Sequence, residues 1–137
     1  MSPTLALAIA GALLVLTVLL GVLLRRREGR RVDPGALRVR PSDIEATELG
    51  ARATFVQFST EVCARCPQVR RMLRRVAATD AGIRHVEVDL THRPDLSTRY
   101  RVLQTPTTFL VDGAGHVRAR FHGVPQQHAL TEALAAV

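Results

Sequence analysis

Residues 53–76 limit the possible folds of this chain more than any other segment, because a strand pattern passes there directly into a helix pattern. Residues 54–58 form a short apolar run with aromatic and β-branched side chains, which is typical of a buried strand. Further on, apolar residues recur at the spacing of an amphipathic helix: Val69, Met72, Leu73 and Val76. Between the two patterns lie the chain's two cysteines, Cys63 and Cys66. The sequence therefore predicts both thiols where a strand turns into the first turn of a helix.

A thiol in that position is chemically activated. The free N–H groups and the positive dipole end of a helix stabilise an anion, here a thiolate. A free thiol has a pKa of about 8.5, and such surroundings lower it to roughly 3.5–7.5. Cys63, nearer the helix start, is the expected nucleophile, and Cys66 is expected to resolve the mixed disulfide that Cys63 forms. A disulfide between two cysteines so close in sequence cannot hold distant parts of a fold together. Redox chemistry and metal binding therefore remain as their possible functions.

The segments downstream of the cysteines carry a family resemblance. The unit of strand, CxxC and amphipathic helix resembles the active site of the thioredoxin superfamily, and residues 103–107 (LQTPT) resemble the family's cis-proline loop. Residues 109–117 and Gly123 are similar to its last hairpin and the glycine that follows. The resemblance covers residues 36–137. It implies an α/β fold with a thioredoxin-like mixed sheet flanked by helices, and thiol–disulfide oxidoreductase activity.

The resemblance also implies roles for three residues of the substrate groove. A cis Pro106 would pack against the CxxC, since X–Pro is the one peptide bond for which the cis form costs little. Thr105 would offer backbone hydrogen bonds to an extended substrate. Gly123 would allow a close backbone approach beside the groove. A trans proline that starts a strand and a plain turn glycine are the alternatives.

Two residues depart from the family pattern. Arg65 stands between the cysteines where the familiar thioredoxin has Gly-Pro, and as a substrate-facing cation it should favour the thiolate and make the couple more oxidising. A merely solvated arginine is the other interpretation. Gln57 stands where the resemblance implies a buried aspartate that moves the proton from the second cysteine. Because glutamine cannot act as a base, water, Glu61 or Glu87 would have to replace that aspartate.

Residues 3–24 form an apolar segment without any charge. As a helix this segment would be about 33 Å long, enough to cross a hydrocarbon core of about 30 Å. We expect residues 1–24 to be an uncleaved transmembrane anchor, because the basic n-region and the small-residue cleavage site of a signal peptide are missing. A buried core helix is the alternative.

The arginines that follow this segment predict its orientation. Five of them lie within residues 25–31, in what we expect to be a basic linker over residues 25–35. The positive-inside rule then places the following domain, residues 36–137, on the cytoplasmic side of the cell membrane. Many tethered thioredoxin-like proteins face the outside instead, so an extracytoplasmic domain is the alternative. The same arginines are also able to contact anionic headgroups.

The remaining patterns complete the predicted sheet. Residues 36–40 are expected as a first edge strand, and residues 42–45 (SDIE) as a capping box that opens a brief helix to Leu49. The other expected elements are a parallel strand at 83–88, a helix at 94–101, a hairpin of 107–111 with 116–121, and a helix at 126–136.

Together these patterns predict a membrane-tethered enzyme that reduces or exchanges protein disulfides and is recharged by an upstream thiol reductant. No cofactor is expected beyond the Cys63–Cys66 redox disulfide. The five histidines lack zinc-ligand spacing, but a thiolate pair suits copper(I), so a copper(I) chaperone or a non-catalytic adaptor is the alternative.

The chain has a net charge of +7, and all 19 of its basic residues are arginines. No aromatic platform accompanies the arginine run at 70–75, so we expect a solvated face there and no nucleic-acid partner, with a docking surface for an acidic partner as the alternative.

Overall fold

The computed structural model describes residues 2–137. One long helix precedes a mixed α/β domain, and a short 3₁₀ helix, Pro41–Ile44, lies between the first two strands. The helices and strands in chain order are α1 (Pro3–Arg27), β1 (Arg31–Val32), β2 (Ala53–Ser59), α2 (Cys66–Ala77), β3 (Ile83–Asp89), α3 (Pro94–Arg99), β4 (Thr107–Asp112), β5 (Val117–His122) and α4 (Gln127–Ala135).

The described strands form one five-stranded sheet in the order β1-β5-β4-β2-β3. β2 and β3 run parallel, whereas β2 with β4, β4 with β5 and β5 with β1 are antiparallel. This arrangement confirms the predicted mixed sheet, with its parallel pair and its terminal hairpin. The carboxyl end of central strand β2 leads into the cysteine segment, so the sheet itself positions the two thiols.

Helices cover both faces of the sheet, and each face has its own core. All seven residues of β2 are buried, as expected for a central strand covered on both sides. On one face Phe58 packs with Tyr100 and Phe109, with ring centroids 5.0–6.1 Å apart. On the other face Phe55 belongs to a cluster that includes Leu73 of α2 and α4 residues.

The predicted edge strand at residues 36–40 was wrong. That segment makes a single antiparallel bridge, from Arg38 to His116. The edge position next to β5 belongs to β1, which lies inside the range predicted as a linker. β1 reaches the sheet because Gly29, with a φ of 73°, turns the chain directly after α1 and donates its N–H to the His122 carbonyl at 2.8 Å.

The predicted capping box was also wrong. Residues 41–44 form only the 3₁₀ helix, and Glu45 ends it with a φ of 54°. No side chain caps this 3₁₀ helix, and Asp43 within it accepts hydrogen bonds from the Tyr100 hydroxyl at 2.5 Å and from Arg99 at 2.7 Å. A tertiary contact 57 residues away along the chain therefore replaces the local one.

α1 is exposed along its whole length, and none of its residues is buried in the domain. By length and composition alone it would be able to span a membrane, and a signal sequence near the N-terminus would meet the same criteria. Its last turn carries Arg25, Arg26 and Arg27. The structure therefore gives one long, apolar, exposed helix ahead of the sheet.

Candidate active site

The two cysteines form a disulfide between the end of β2 and the start of α2. Their Cα atoms are 5.5 Å apart, within the ordinary range for a disulfide. Cys66 is the first residue of α2 and is 2% exposed, whereas Cys63 lies in the preceding turn and is partly exposed. The predicted helix N-terminus at the CxxC is therefore confirmed. Of the two cysteines, Cys63 is therefore the more exposed.

The start of α2 has the electrostatics that favour a thiolate. Arg65 is the N-cap residue, and its side chain makes no capping hydrogen bond because a guanidinium has no acceptor. Pro67 occupies the first turn, where its missing N–H costs nothing. No side chain of the N-cap residue caps the N–H groups of that turn, and Cys66 is itself the first residue of the helix. An anion at Cys63 is stabilised in such a position.

The cis-proline loop and Gly123 lie beside the disulfide segment. The Thr105–Pro106 peptide bond is cis, as predicted. The Thr105 hydroxyl lies 3.4 Å from the hydroxyl of Thr60, which immediately follows β2. Gly123 donates its N–H to the Pro106 carbonyl at 2.8 Å and has a φ of 72°, a conformation that favours glycine. The fold therefore brings together the predicted groove residues and the CxxC.

Arg65 does not stand free, because it forms an ion pair with Glu28, the residue that follows α1. The same Glu28 side chain covers Gly123, where an added Cβ would lie 2.6 Å from Glu28 Oε1. The sequence analysis placed Glu28 in a linker and missed it. No local pattern identifies this contact, since it depends on how the end of α1 meets the domain. The cation expected beside the thiolate therefore has a carboxylate partner.

We expect Glu28→Gln to make the reduced enzyme more reactive. The change removes the negative charge that offsets Arg65 and leaves the side chain almost the same size. Because the pair is partly exposed, the gain should be modest, roughly two- to fivefold in the rate at which iodoacetamide alkylates Cys63 at neutral pH. Glu48→Gln, at an ion pair with Arg84 whose carboxylate is more exposed, is the matched control and should leave the rate unchanged. Equal rates in Glu28→Gln and the unmodified protein would show that Arg65 has no influence on the thiolate.

Gln57 lies fully buried behind Cys66 and is held at both ends of its amide. Its Nε2 donates to the Cys66 carbonyl at 3.0 Å, and its Oε1 accepts from His85 Nε2, also at 3.0 Å. Burial lowers the pKa of His85, so the neutral ring that makes this contact is favoured. The position at which the family resemblance implies a buried aspartate therefore carries an amide. This amide holds the first residue of α2 through a hydrogen bond.

A carboxylate does reach the cysteines, from the neighbouring strand. Glu87 lies across from Gln57 in the parallel register of β2 and β3. It lines a cavity of about 390 Å³ together with Cys63 and Cys66, and Glu61 lines the same cavity. Both candidates that the sequence offered as substitutes for the missing aspartate are thus near the dithiol.

Arg70 holds Glu87 in a two-point ion pair. Its Nε and Nη2 donate to the two carboxylate oxygens at 2.5 and 2.7 Å. Arg70 is itself partly exposed, and the other arginines of the predicted solvated face, Arg71, Arg74 and Arg75, are exposed. The hydrogen bonds from Arg70 lower the pKa of Glu87, which makes the carboxylate a weak base while the pair is intact.

Gln57→Asp is expected to accelerate the resolution step. An aspartate at this buried position would have no bulk water around it, and its raised proton affinity would suit the removal of a proton from Cys66 near neutral pH. We expect release of a mixed disulfide to be faster by about tenfold, a small part of what a positioned base supplies. Stopped-flow measurement of substrate thiol release would detect this change, with Gln57→Asn as the control for shortening the side chain. An unchanged rate would show that another group already accepts the proton.

No group of three or more His, Cys, Asp or Glu side chains within residues 2–137 is arranged as a set of metal ligands. The two cysteines are the only thiols of the sequence, and in the structure they are bonded to each other. The copper(I) alternative thus rests on these two thiols in their reduced form.

Comparison with known proteins agrees with this geometry. The sequence profile of the family described as Thioredoxin matches residues 44–136, more than half of the chain. A search of curated proteins found no match.

Solved structures support the same fold. The oxidized form of mitochondrial thioredoxin 3 from Saccharomyces cerevisiae is 19% identical, with a TM-score of 0.54 over 63% of this chain and 79% of that one. Thioredoxin from Fasciola hepatica is 19% identical, with a TM-score of 0.54 over 70% and 86% of the two chains. Spinach chloroplast thioredoxin F is 17% identical, with a TM-score of 0.55 over 64% and 77%. The domain thus has a thioredoxin-like α/β fold, with the long apolar helix ahead of it.

Proposed function

Because the chain belongs to the thioredoxin family, we propose that it is a membrane-tethered thiol–disulfide oxidoreductase that reduces or exchanges protein disulfides. The observation that carries this proposal is the Cys63–Cys66 disulfide at the N-terminus of α2, with one cysteine partly exposed and the other buried. The cis Thr105–Pro106 bond supports it, because Thr105 contacts Thr60 in the segment that leads to the cysteines.

The reaction needs only the two cysteines and a proton acceptor. The Cys63 thiolate attacks one sulfur of a substrate disulfide, a mixed disulfide forms, and the first substrate thiolate leaves and takes up a proton. Cys66 then loses its proton and attacks the Cys63 sulfur, which releases the second substrate thiolate. Two electrons pass to the substrate, and the Cys63–Cys66 disulfide forms. An upstream dithiol reductant restores the pair by the reverse steps.

We assign substrate contacts to four residues around the pair. The backbone of Thr105 would pair with an extended substrate segment, while Pro106 and Gly123 shape the groove. Arg65 would contact the substrate once Glu28 moves aside. The contacts of Thr105 with Thr60, of Gly123 with Pro106 and of Arg65 with Glu28 support the assignment.

We further propose that residues 3–24 span the cell membrane, that residues 25–35 are the basic connection and that residues 36–137 are the working domain. The exposure and apolar composition of α1 support the anchor, and the arginines at its end support a cytoplasmic domain. In the cytoplasm the thiol pool would make the protein a reductase. A C-terminal reporter that is active only outside the cell tests the orientation. Its activity would reverse the assignment and indicate extracytoplasmic disulfides as substrates.

Redox titration tests the proposed chemistry. The full-length protein is equilibrated with glutathione buffers of increasing reduced fraction, and free thiols are counted by alkylation and mass spectrometry. We expect the unmodified protein to show one transition from zero to two free thiols per molecule. The Cys63→Ser and Cys66→Ser variants cannot form the internal disulfide and should not show this transition. A parallel titration of the reduced protein with copper(I) addresses the metal alternative. If one copper(I) binds tightly per dithiol and the protein does not exchange thiols with disulfides, the chain is a copper(I) chaperone and not an oxidoreductase.

A further inference from the structure

The end of α1 is fixed to the domain at the active-site edge. Gly29 donates to the His122 carbonyl at 2.8 Å, and its own carbonyl accepts from the Gln126 N–H at 3.0 Å. The Gln126 side chain also donates to the Glu28 carbonyl at 3.1 Å. The Glu28 side chain pairs with Arg65, between the two cysteines. No free tether therefore separates the apolar helix from the dithiol.

This connection sets the depth of the dithiol relative to the apolar segment. Leu24 is the last apolar residue of α1, and Glu28 follows it by four residues. At 1.5 Å per helical residue this is an axial distance of about 6 Å. The last turns of α1 also face the loop before the cis-proline, across a cavity of about 630 Å³ whose lining includes Leu24, Leu103 and His122. If Leu24 lies at a bilayer boundary, the CxxC turn lies at the level of the headgroups.

The surface around the dithiol has the composition of a lipid-facing surface. Val62, next to Cys63, is 93% exposed, and Leu103, in the loop before Pro106, is 94% exposed. Arg25 and Arg27 line the cavity beside Leu103. Apolar side chains that project beyond a rim of arginines are typical of surfaces that lie on anionic membranes, where each arginine near the surface adds to binding.

We propose that the active-site edge of the protein lies against the surface of an anionic bilayer. This proposal rests on the proposed function, a membrane-tethered oxidoreductase. Val62 and Leu103 enter the headgroup layer, and the arginines at the end of α1 contact lipid phosphates. The dithiol then faces along the membrane surface and not into bulk solvent. Its substrates are consequently disulfides of membrane proteins that lie close to the bilayer surface, and soluble disulfide proteins reach it poorly.

Tryptophan fluorescence tests this orientation, because the chain contains no tryptophan. Leu103→Trp places a single reporter at the proposed contact. Ala114→Trp is the control, since it lies in the turn at the far end of β5, a strand about 17 Å long. Both full-length variants are reconstituted in vesicles of phosphatidylcholine and phosphatidylglycerol, with and without brominated acyl chains. We expect Leu103→Trp to lose fluorescence in the brominated vesicles and to emit at shorter wavelength, while Ala114→Trp changes in neither respect.

Val62→Trp provides a second reporter, and it should be quenched in the same way if the edge lies on the bilayer. Equal quenching at Leu103 and Ala114, or no quenching at Leu103 and Val62, would overturn the proposal. Vesicle flotation and the glutathione titration on the same preparations separate this failure from that of the proposed function. A protein that floats and exchanges thiols but shows no quenching would refute the orientation alone.

Discussion

Cys66→Ser is expected to accumulate a covalent mixed disulfide with a substrate protein, whereas Cys63→Ser is expected to form none. Cys63 is partly exposed in the turn before α2, and Cys66 is 2% exposed behind it. Removing Cys66 leaves the attacking thiol in place but abolishes resolution, so the covalent intermediate persists. Removing Cys63 leaves a thiol that substrate cannot reach. Both variants should lose turnover completely, and only the first should retain a bound partner.

Non-reducing electrophoresis and mass spectrometry of the two variants after incubation with an oxidised protein would measure this trapping. A Cys63→Ser/Cys66→Ser double variant controls for non-covalent association. Trapping through Cys66 in the Cys63→Ser variant would reverse the two roles. In that case the buried cysteine would have to become exposed when the disulfide is reduced.

Asp43→Ala is expected to destabilise the folded domain by about 2–3 kcal/mol, because it leaves the buried Tyr100 hydroxyl without its acceptor. It also removes the partner of Arg99. Urea denaturation would measure the loss as a lower midpoint. Asp95→Ala is the matched control, since that carboxylate forms an exposed ion pair with Arg93 and should have little effect. Equal losses in the two variants would show that the Asp43 contact contributes nothing specific.

The Asp43 contribution should depend on pH. Burial alone would raise the pKa of Asp43, but hydrogen bonds from Tyr100 and Arg99 outweigh it and lower the pKa below the ordinary value of 3.8. A carboxyl group with a lowered folded-state pKa stabilises the protein fully above its unfolded pKa, and this stabilisation is lost as the pH falls through the folded value. The difference between the native protein and Asp43→Ala should therefore be constant at neutral pH and shrink below about pH 4. A difference that stays constant down to pH 2 would contradict this assignment.

The features that sequence predicted correctly are those with a local physical cause. The β2–CxxC–α2 unit is visible because its apolar periodicity changes from strand to helix around the cysteines. The hairpin of β4 and β5 follows from two strand patterns on either side of a glycine-containing turn. Pro106 was recognised as cis from its resemblance to a known loop and not from propensity. These segments together place the dithiol at one edge of the sheet.

The features that sequence missed are side-chain contacts between distant segments. Glu28 reaches Arg65 because Gly29 turns the chain onto β5, and no local pattern shows that contact. The SDIE pattern at residues 42–45 predicts a local cap, but no side chain caps this segment and Asp43 instead makes a buried contact with Tyr100. The ion pair of Arg70 is missed because helical periodicity shows which face is polar, but not which carboxylate lies opposite it. That carboxylate, Glu87, is one of the substitutes named from the sequence, but strand register is needed to place it beside the cysteines.

Turnover of a disulfide substrate by the full-length protein tests the central claim most directly. Insulin reduction is followed with the full-length protein in detergent micelles, where no bilayer covers the active-site edge, with dithiothreitol as the reductant and the Cys63→Ser variant as the matched control. We predict catalytic reduction, with many insulin molecules reduced per protein molecule, and no reduction above background for Cys63→Ser. A rate equal to that of Cys63→Ser, in a protein that is folded and whose disulfide has been reduced, would contradict the assignment of this chain as a thiol–disulfide oxidoreductase.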